Sequence, residues 1–320
     1  MITVLMPTYN CAEYITEAIT SILNQTYKDF EFLIIDDGST DNTEEILENI
    51  NDLRIRYIKK KNTGLVDTLN YGLGLSTYDL ILRMDSDDIA HPYLIEKQLS
   101  YLSKDPDIDL LSCWYAVFYK KRIEYVIKNP VEHEQIVKGL LLHSYIQHPS
   151  CLYNKNLINK YGNYSTDVIE DYGLWLRMMK DVKFKNIPEV LFYYRFRKDS
   201  VSRINIEERN ILHYRTQQVY YNDLYYFFNI KDKIEEFKYR GWREFFYGDK
   251  NKARMYWLQD KRCFLRDYRI GLAFLLTKLP EKMLTWWKEN RIRYRIKYWI
   301  TMFTKENRII RSDFSKLSQK

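Results

Sequence analysis

Three carboxylates fall within four residues at Asp85-Ser86-Asp87-Asp88, directly after the run Leu80-Ile81-Leu82-Arg83-Met84. Carboxylates this close repel one another, so a cation is their natural partner. Oxygen ligands suit Mg²⁺ or Mn²⁺, ions that take a few carboxylates together with substrate phosphates. Such an ion neutralises the charge that develops on a diphosphate leaving group. The same residues also suit a solvated acidic turn ahead of a helix beginning near Pro92. Their place at the end of a buried strand favours the cation.

A second group is Pro7-Thr8-Tyr9-Asn10 with Asp36-Asp37-Gly38-Ser39. Tyr9 offers a flat face on which a base can stack. A carboxylate at the next strand end can accept a hydrogen bond from a base N–H or a ribose hydroxyl. The plain alternative is a pair of β-α turns with helix caps. A third group, Glu170-Asp171, precedes the apolar positions Tyr172, Leu174, Trp175, Leu176 and Met178. A carboxylate here can take the proton of an attacking hydroxyl. It can equally be an acid that favours the first turn of a helix. His148, in His148-Pro149-Ser150, can touch a phosphate or an acceptor, or serve the core as a lone histidine often does.

The elements that must carry these residues alternate between two periods. Ile2–Met6, Phe32–Ile35, Ile55–Ile58 and Leu80–Met84 are short apolar runs and read as buried strands. Between them Ile15, Ala18, Ile19, Ile22 and Leu23 mark one face of a helix. Asp41 or Asn42 can cap a second helix, and residues 65–75 read as a third. This β-α-β-α-β-α-β order predicts a mainly parallel sheet covered by helices, with the acids at the C-terminal strand ends where such sheets bind ligands. From about residue 105 the pattern is mixed. Leu110–Tyr119 and Cys151–Tyr153 read as strands, Asp171–Lys180 as a helix and Phe184–Tyr194 as extended chain. Beyond about 205 it is mainly helical.

The chain has 320 residues, 46% apolar and 29% charged, a balance that predicts a packed core rather than disorder. It has no run of 18 apolar residues and no signal-peptide pattern at its start, so a cytoplasmic protein is expected. Cys11, Cys113, Cys151 and Cys263 are scattered without a C-x-x-C pair, which argues against zinc or redox chemistry. Residues 281–320 hold six Lys and five Arg against three Glu and one Asp, a net +7 equal to that of the whole chain. The remainder is balanced, which argues against nucleic-acid binding. This tail interleaves Trp286, Trp287, Tyr294, Tyr298, Trp299 and Phe303 with Arg291, Arg293, Arg295 and Lys297. It can lie on an anionic membrane surface, placing the protein on the inner face of the membrane, or it can pack on the catalytic domain or on a second subunit of a homo-oligomer.

Taken in order, V-L-M-P-T-Y-N, I-L-N-Q-T-Y-K-D-F-E, I-I-D-D-G-S-T-D-N-T, R-M-D-S-D-D-I-A-H-P and E-D-Y-G-L-W-L-R resemble the family 2 glycosyltransferases of the GT-A fold, over roughly residues 1–205. Asn62-Thr63-Gly64-Leu65 with Leu69-Asn70-Tyr71-Gly72-Leu73 is similar to the bacterial subgroup that builds lipooligosaccharide and capsule chains, including β-1,3-N-acetylglucosaminyl- and galactosyltransferases. The resemblance implies an α/β catalytic domain at 1–205, with a nucleotide-sugar half to about 104 and an acceptor half after it, then a helical, basic and aromatic extension over 206–320. It implies that Pro7 and Tyr9 line the base, that Asp37 bonds the uracil, and that Thr8, Asp36, Asn70, Arg83, Asp85 and Ser86 complete the donor set. Asp87 would be the direct ligand of Mn²⁺ or Mg²⁺, with Asp85 near the ribose and metal. Asp171 would be the general base of an inverting, single-displacement transfer from a UDP-sugar to a glycan or lipid-linked acceptor. His148, Glu170, Trp175, Arg195 and Arg197 are candidates for acceptor or phosphate contacts. One departure stands out: many relatives carry Y-R-x-H where this chain has Tyr194-Arg195-Phe196-Arg197. Arg197 can pair with phosphate but cannot ligate a cation, so the expectation is either weaker metal binding or a segment that acts as a cationic lid. The rivals are a nucleotidyltransferase, whose Gly-rich basic phosphate loop the chain lacks near strand one, and a non-catalytic glycan- or nucleotide-binding module, which the retained acids disfavour.

Overall fold

Ile2–Thr8 forms β1 with all seven residues buried, as an apolar run without alternation requires when both faces of a strand are covered. In the computed structural model the described residues are 1–140, 142–197, 206–220, 232–280, 282–284 and 305–317. β2 (Phe30–Asp36) and β4 (Leu80–Arg83) flank β1 in parallel register, and β3 (Ile55–Lys59) lies outside β2. The crossovers are α1 (Ile15–Leu23), α2 (Thr43–Glu48) and α3 (Leu65–Leu75). α1 buries Ile15, Ala18, Ile19 and Ile22 on one side of the sheet, the stripe its sequence spacing predicts. α3 buries Leu69 and Leu73 on the other, where Gly72 lets the helix approach Leu5. Each such fully buried aliphatic side chain contributes about 1.5–3 kcal/mol.

The second half of the sheet is mixed. β8 (Leu152–Asn154) pairs antiparallel with both β4 and β6 (Leu110–Tyr119). β9 (Phe184–Arg195) then runs parallel to β6, giving the order β3-β2-β1-β4-β8-β6-β9-β5. β5 is only Ile89-Ala90, immediately after the acidic motif, and pairs antiparallel with Tyr193 and Phe192 of β9. This short pairing draws residues 195–197 against residues 85–88. The sequence pattern does not disclose β5, nor β7 (Arg122–Ile127), which folds back on β6 through a turn where Lys120 takes φ 52° without the Gly or Asn that usually marks one.

α4 (Leu94–Lys104), α5 (His133–Leu140), α6 (Asn156–Tyr161) and α7 (Glu170–Met178) cover the sheet. α7 begins one residue earlier and ends two earlier than its apolar pattern predicts. The helical remainder comprises α8 (Ile206–Val219), α9 (Lys233–Tyr247), α10 (Lys250–Gln259), α11 (Arg262–Arg266), α12 (Arg269–Leu276) and α13 (Lys305–Leu317). α9 to α12 share a core of their own around Ile234, Phe245, Trp257 and Ile270. α13 returns to the sheet: Phe314 lies 4.7 Å from the Phe118 ring and 5.1 Å from that of Tyr193, and Lys128 pairs with Glu306 at 2.6 Å. Within the basic tail, residues 305–317 therefore pack on the sheet. The aromatic and basic residues from Trp286 to Phe303 lie outside the described residues. Among the described residues no helix is long and apolar enough to cross a membrane.

Candidate functional site

The C-terminal ends of β1, β2 and β4 lie side by side, because these strands are parallel neighbours in register. Each delivers polar groups to one edge. After β1, Tyr9 is exposed and Asn10 takes φ 49°, a left-handed conformation that asparagine tolerates. Its backbone N–H donates to Ser39 Oγ at 2.9 Å, and its side chain accepts from Thr40 N at 2.8 Å, so the loops after β1 and β2 are tied together. Thr8 Oγ1 is buried at the strand end with no protein partner.

After β4, one oxygen from each of Asp85, Asp87 and Asp88 lies within 4.8 Å of the others. Each is held differently. Asp85 pairs with the buried Arg83 guanidinium at 2.7 Å. Asp87 Oδ2 lies 3.2 Å from Arg197 Nη1. Asp88 Oδ1 accepts from Arg195 N at 2.7 Å, while its Oδ2 is buried with no partner. Burial, then the neighbouring Asp85 charge, push Asp87 up to about 6, against the pull of Arg197. Burial and the adjacent acids likewise raise Asp88 well above the usual carboxylate range. A compact set of hard oxygen donors with an unsatisfied buried oxygen fits a Mg²⁺ or Mn²⁺ ion, which would remove the repulsion behind these shifts. Arg83 Nε and Nη1 are also buried and unpartnered, so the strand end presents both anionic and cationic groups without full protein satisfaction.

Asp37 and Asp36 share a strand end but not a surroundings. Asp37 accepts from Lys60 Nζ at 2.5 Å, Thr63 N at 2.9 Å and Gly64 N at 2.8 Å. Burial alone would raise its pKa, but these donors outweigh it and hold the carboxyl below its ordinary value. Asp36 is fully buried and accepts from Ser39 N, Ser39 Oγ and Tyr57 OH. It fixes the β2 turn and faces no cleft, which corrects the expectation that it contacts the nucleotide.

Asp171 sits in the first turn of α7 with Tyr172 N donating to its Oδ1 at 2.7 Å. Burial, then the adjoining Glu170 charge, push it up to about 7. The field of Arg83 reaches Asp171 as well as Asp88 and Glu170, so one buried cation serves both the strand-end acids and the α7 acids. Arg195 closes the cluster from the side. Its Nε donates to Asp87 O at 2.6 Å, its Nη2 to Glu17 at 2.5 Å, and its guanidinium lies over the Tyr14 and Phe118 rings.

Three other expected contacts turn inward. Trp175 is fully enclosed in the core between His148 and Phe184. His148 is buried with Nε2 3.0 Å from Tyr164 OH, and burial holds its pKa well below the usual value. Asn70 spends its amide on Tyr164, donating to its carbonyl at 3.0 Å and accepting from its N–H at 3.1 Å. The physical reason is shared. His148 and Asn70 pin Tyr164 in the segment that leads into α7, and Trp175 anchors α7 itself in the core, so all three help to place Asp171. The sequence reading missed Lys60, although Lys59-Lys60-Lys61 was a visible signal, and also Tyr14, Glu17 and Thr216, for which no local signal exists. Thr216 Oγ1 of α8 accepts from Ile169 N at 3.1 Å, just ahead of α7. Cys11 is buried with its thiol pushed up to about 12 by burial, so it is inert, and the four cysteines are free and buried.

The model of the family described as glycosyl transferase family 2 matches residues 3–162. A UDP-Gal:α-D-GlcNAc-diphosphoundecaprenol β-1,3-galactosyltransferase of Escherichia coli is 33% identical over 199 residues, 59% of this chain and 71% of that protein. The crystal structure of residues 1–349 of TarS from S. aureus, in complex with UDP-GlcNAc, aligns with TM-score 0.56 at 18% identity, covering 87% of this chain and 90% of that one. The mannosyltransferase PcManGT of Pyrobaculum calidifontis, in complex with GDP-Man and Mn²⁺, aligns with TM-score 0.56 at 17% identity, covering 95% and 88%. Both structural likenesses bear on the fold: a curled, partly parallel sheet flanked by helices, as in GT-A glycosyltransferases.

Proposed function

As a member of glycosyl transferase family 2, this chain is a glycosyltransferase, and we propose that it transfers a hexose or N-acetylhexosamine from a UDP-sugar, with inversion, to a hydroxyl of a surface-glycan acceptor. The single observation that carries this is the pairing of the Asp85-Asp87-Asp88 cluster with an elevated Asp171 across the shared Arg83. A uridine donor is supported by the relative named for UDP-Gal and by the TarS complex with UDP-GlcNAc. A saccharide on a lipid diphosphate is supported as acceptor by the same relative's name.

In this reading Tyr9 and Pro7 flank the base, and Asp37 holds the 60–64 loop against it. Asp87 and Asp85, with Asp88 behind them, would hold Mn²⁺ or Mg²⁺, which would supply positive charge to neutralise the departing diphosphate. Asp171 takes the proton of the acceptor hydroxyl as that oxygen attacks the sugar carbon. With a pKa near 7 it is a far better proton acceptor than an ordinary carboxylate, yet still ionised in a useful fraction at neutral pH. Residues 1–205 form the catalytic unit, braced by α8 through Thr216, and the helices beyond are an extension that can reach a membrane-borne acceptor.

The test uses Asp171→Asn and Asp87→Ala with a panel of UDP- and GDP-sugars. Asp171→Asn should keep donor binding and lose transfer by about 10²–10⁴-fold. Asp87→Ala should lose Mn²⁺-dependent UDP binding by calorimetry. Near-normal turnover in the first variant would sink the base assignment.

A further inference from the structure

Two arginines reach the same aromatic ring beside the acidic cluster, and they are held in different ways. Arg195 lies 4.8 Å from the Tyr14 ring centre and is fixed by Asp87 O, Glu17 and the Phe118 face. Arg197 lies 4.7 Å from the same ring, and its Nη1 meets Asp87 Oδ2 at 3.2 Å. Its side chain is twice as exposed, at 18% against 9%. Arg195 therefore builds the wall, whereas Arg197 places a partly exposed positive charge on one of the three carboxylates that could hold a cation.

That placement sets up a competition. Asp87 cannot give its Oδ2 lone pairs fully to an arginine and to a divalent ion at once. A guanidinium that gives up a carboxylate needs another anion, and its fork matches phosphate oxygens as well as carboxylate oxygens. The Tyr14 face can support the guanidinium in either position, because a cation over a ring needs no fixed in-plane partner. We propose that Arg197 is an exchangeable internal counter-ion. It neutralises Asp87 in the nucleotide-free protein and passes to the diphosphate of the donor when a divalent cation takes the carboxylate. Cation and nucleotide then bind with positive coupling, because each supplies what makes the other's site available. This rests on the donor and cation reading given above.

Calorimetry on the full chain tests it, with MnCl₂ titrated in the absence and presence of saturating UDP. Wild-type protein should bind Mn²⁺ weakly alone and more tightly with UDP. Arg197→Gln, which keeps a hydrogen-bonding side chain but no charge, should bind Mn²⁺ alone about fivefold more tightly, the scale of one partly exposed ion pair. Its UDP-dependent gain should shrink by a similar factor. Arg197→Lys keeps the charge but not the fork, so it should bind Mn²⁺ alone about as weakly as wild type, with a UDP-dependent gain between those of wild type and Arg197→Gln. If Arg197→Gln binds Mn²⁺ alone no more tightly than wild type while wild type still shows coupling, the exchange is refuted and the cation site stands. If wild type binds no Mn²⁺ even with UDP, the cation reading itself fails and takes the exchange with it.

Discussion

Asp171→Asn should stabilise the fold while abolishing transfer, and the stabilisation should depend on pH. The carboxyl stands near 7 in the folded chain against 3.8 for an ordinary aspartate, with burial as the main cause and Glu170 the next. A carboxyl raised on folding binds its proton more tightly in the folded state, so between those two values stability falls as pH rises. Three pH units at 1.36 kcal/mol each place the full cost of the ionised group at about 4 kcal/mol above pH 7, as a ceiling. At pH 5 the folded carboxyl is still protonated and most of the cost has yet to appear, so the wild type should lose about 3 kcal/mol relative to the variant between pH 5 and pH 8. For a chain of this size that is about a 5 °C change in the gap between melting temperatures. The assay is a pair of thermal scans for each protein at the two pH values, with UDP absent. A gap that stays constant from pH 5 to pH 8 would show that Asp171 is not held near 7 by its surroundings, and the case for it as a base tuned to neutral pH would go with it.

Glu170→Gln removes the second cause of that elevation, so the acid limb of the pH–rate profile should move down by about one unit. An unmoved limb would assign the elevation to burial alone. Gly241→Ala should cost about 1–3 kcal/mol, because a Cβ there would lie 2.1 Å from Trp257 Nε1 in the packed α9–α10 contact; unchanged thermal scans would contradict that packing. Phe314→Ala should cost about 3–5 kcal/mol, read by the same scans, since Phe314 is 2% exposed against the Phe118 and Tyr193 rings.

The cluster of acids at the strand ends was legible because its signals are local. A four-residue acidic motif follows an apolar run, and helix α3 and strand β6 fall at the residues their periods predict. Residues that share a strand end in a parallel sheet need no long-range information to be grouped. What stayed hidden depends on pairing at a distance. β5 is two residues long, too short to show a period, yet its pairing with β9 is what brings Arg195 and Arg197 to the acids. Inward-facing polar residues misled for a related reason. Asn70, His148 and Asp36 have ligand-like chemistry, and their spacing does not reveal that Tyr164, Ser39 and Tyr57 satisfy them. The basic tail showed its charge but not that Ile310 and Phe314 turn inward to the sheet.

The position of Arg83 explains why the two halves of the site depend on one another. It is a buried cation on β4 whose ion pair with Asp85 belongs to the donor end, while its field reaches Glu170 and Asp171 on α7. Without it, the three strand-end carboxyl groups would face one another with less compensation, and Asp171 would lose a field that lowers its pKa. Desolvation of an unpaired buried charge costs more than any one hydrogen bond returns, so the cluster could not stay both dry and ionised. A ligand that draws Arg83 or Asp85 into new contacts must therefore change the potential at Asp171. Burial and the Glu170 charge set Asp171 near neutrality, and Arg83 pulls against both. Thr216 and Gln217 of α8 brace the start of α7 through Ile169 and Tyr172, 47 and 45 residues away in sequence. Asp171 itself, its neighbour Glu170 and the α8 residues that brace them lie beyond the stretch matched to the family, while the Arg83 field that opposes the elevation comes from within it.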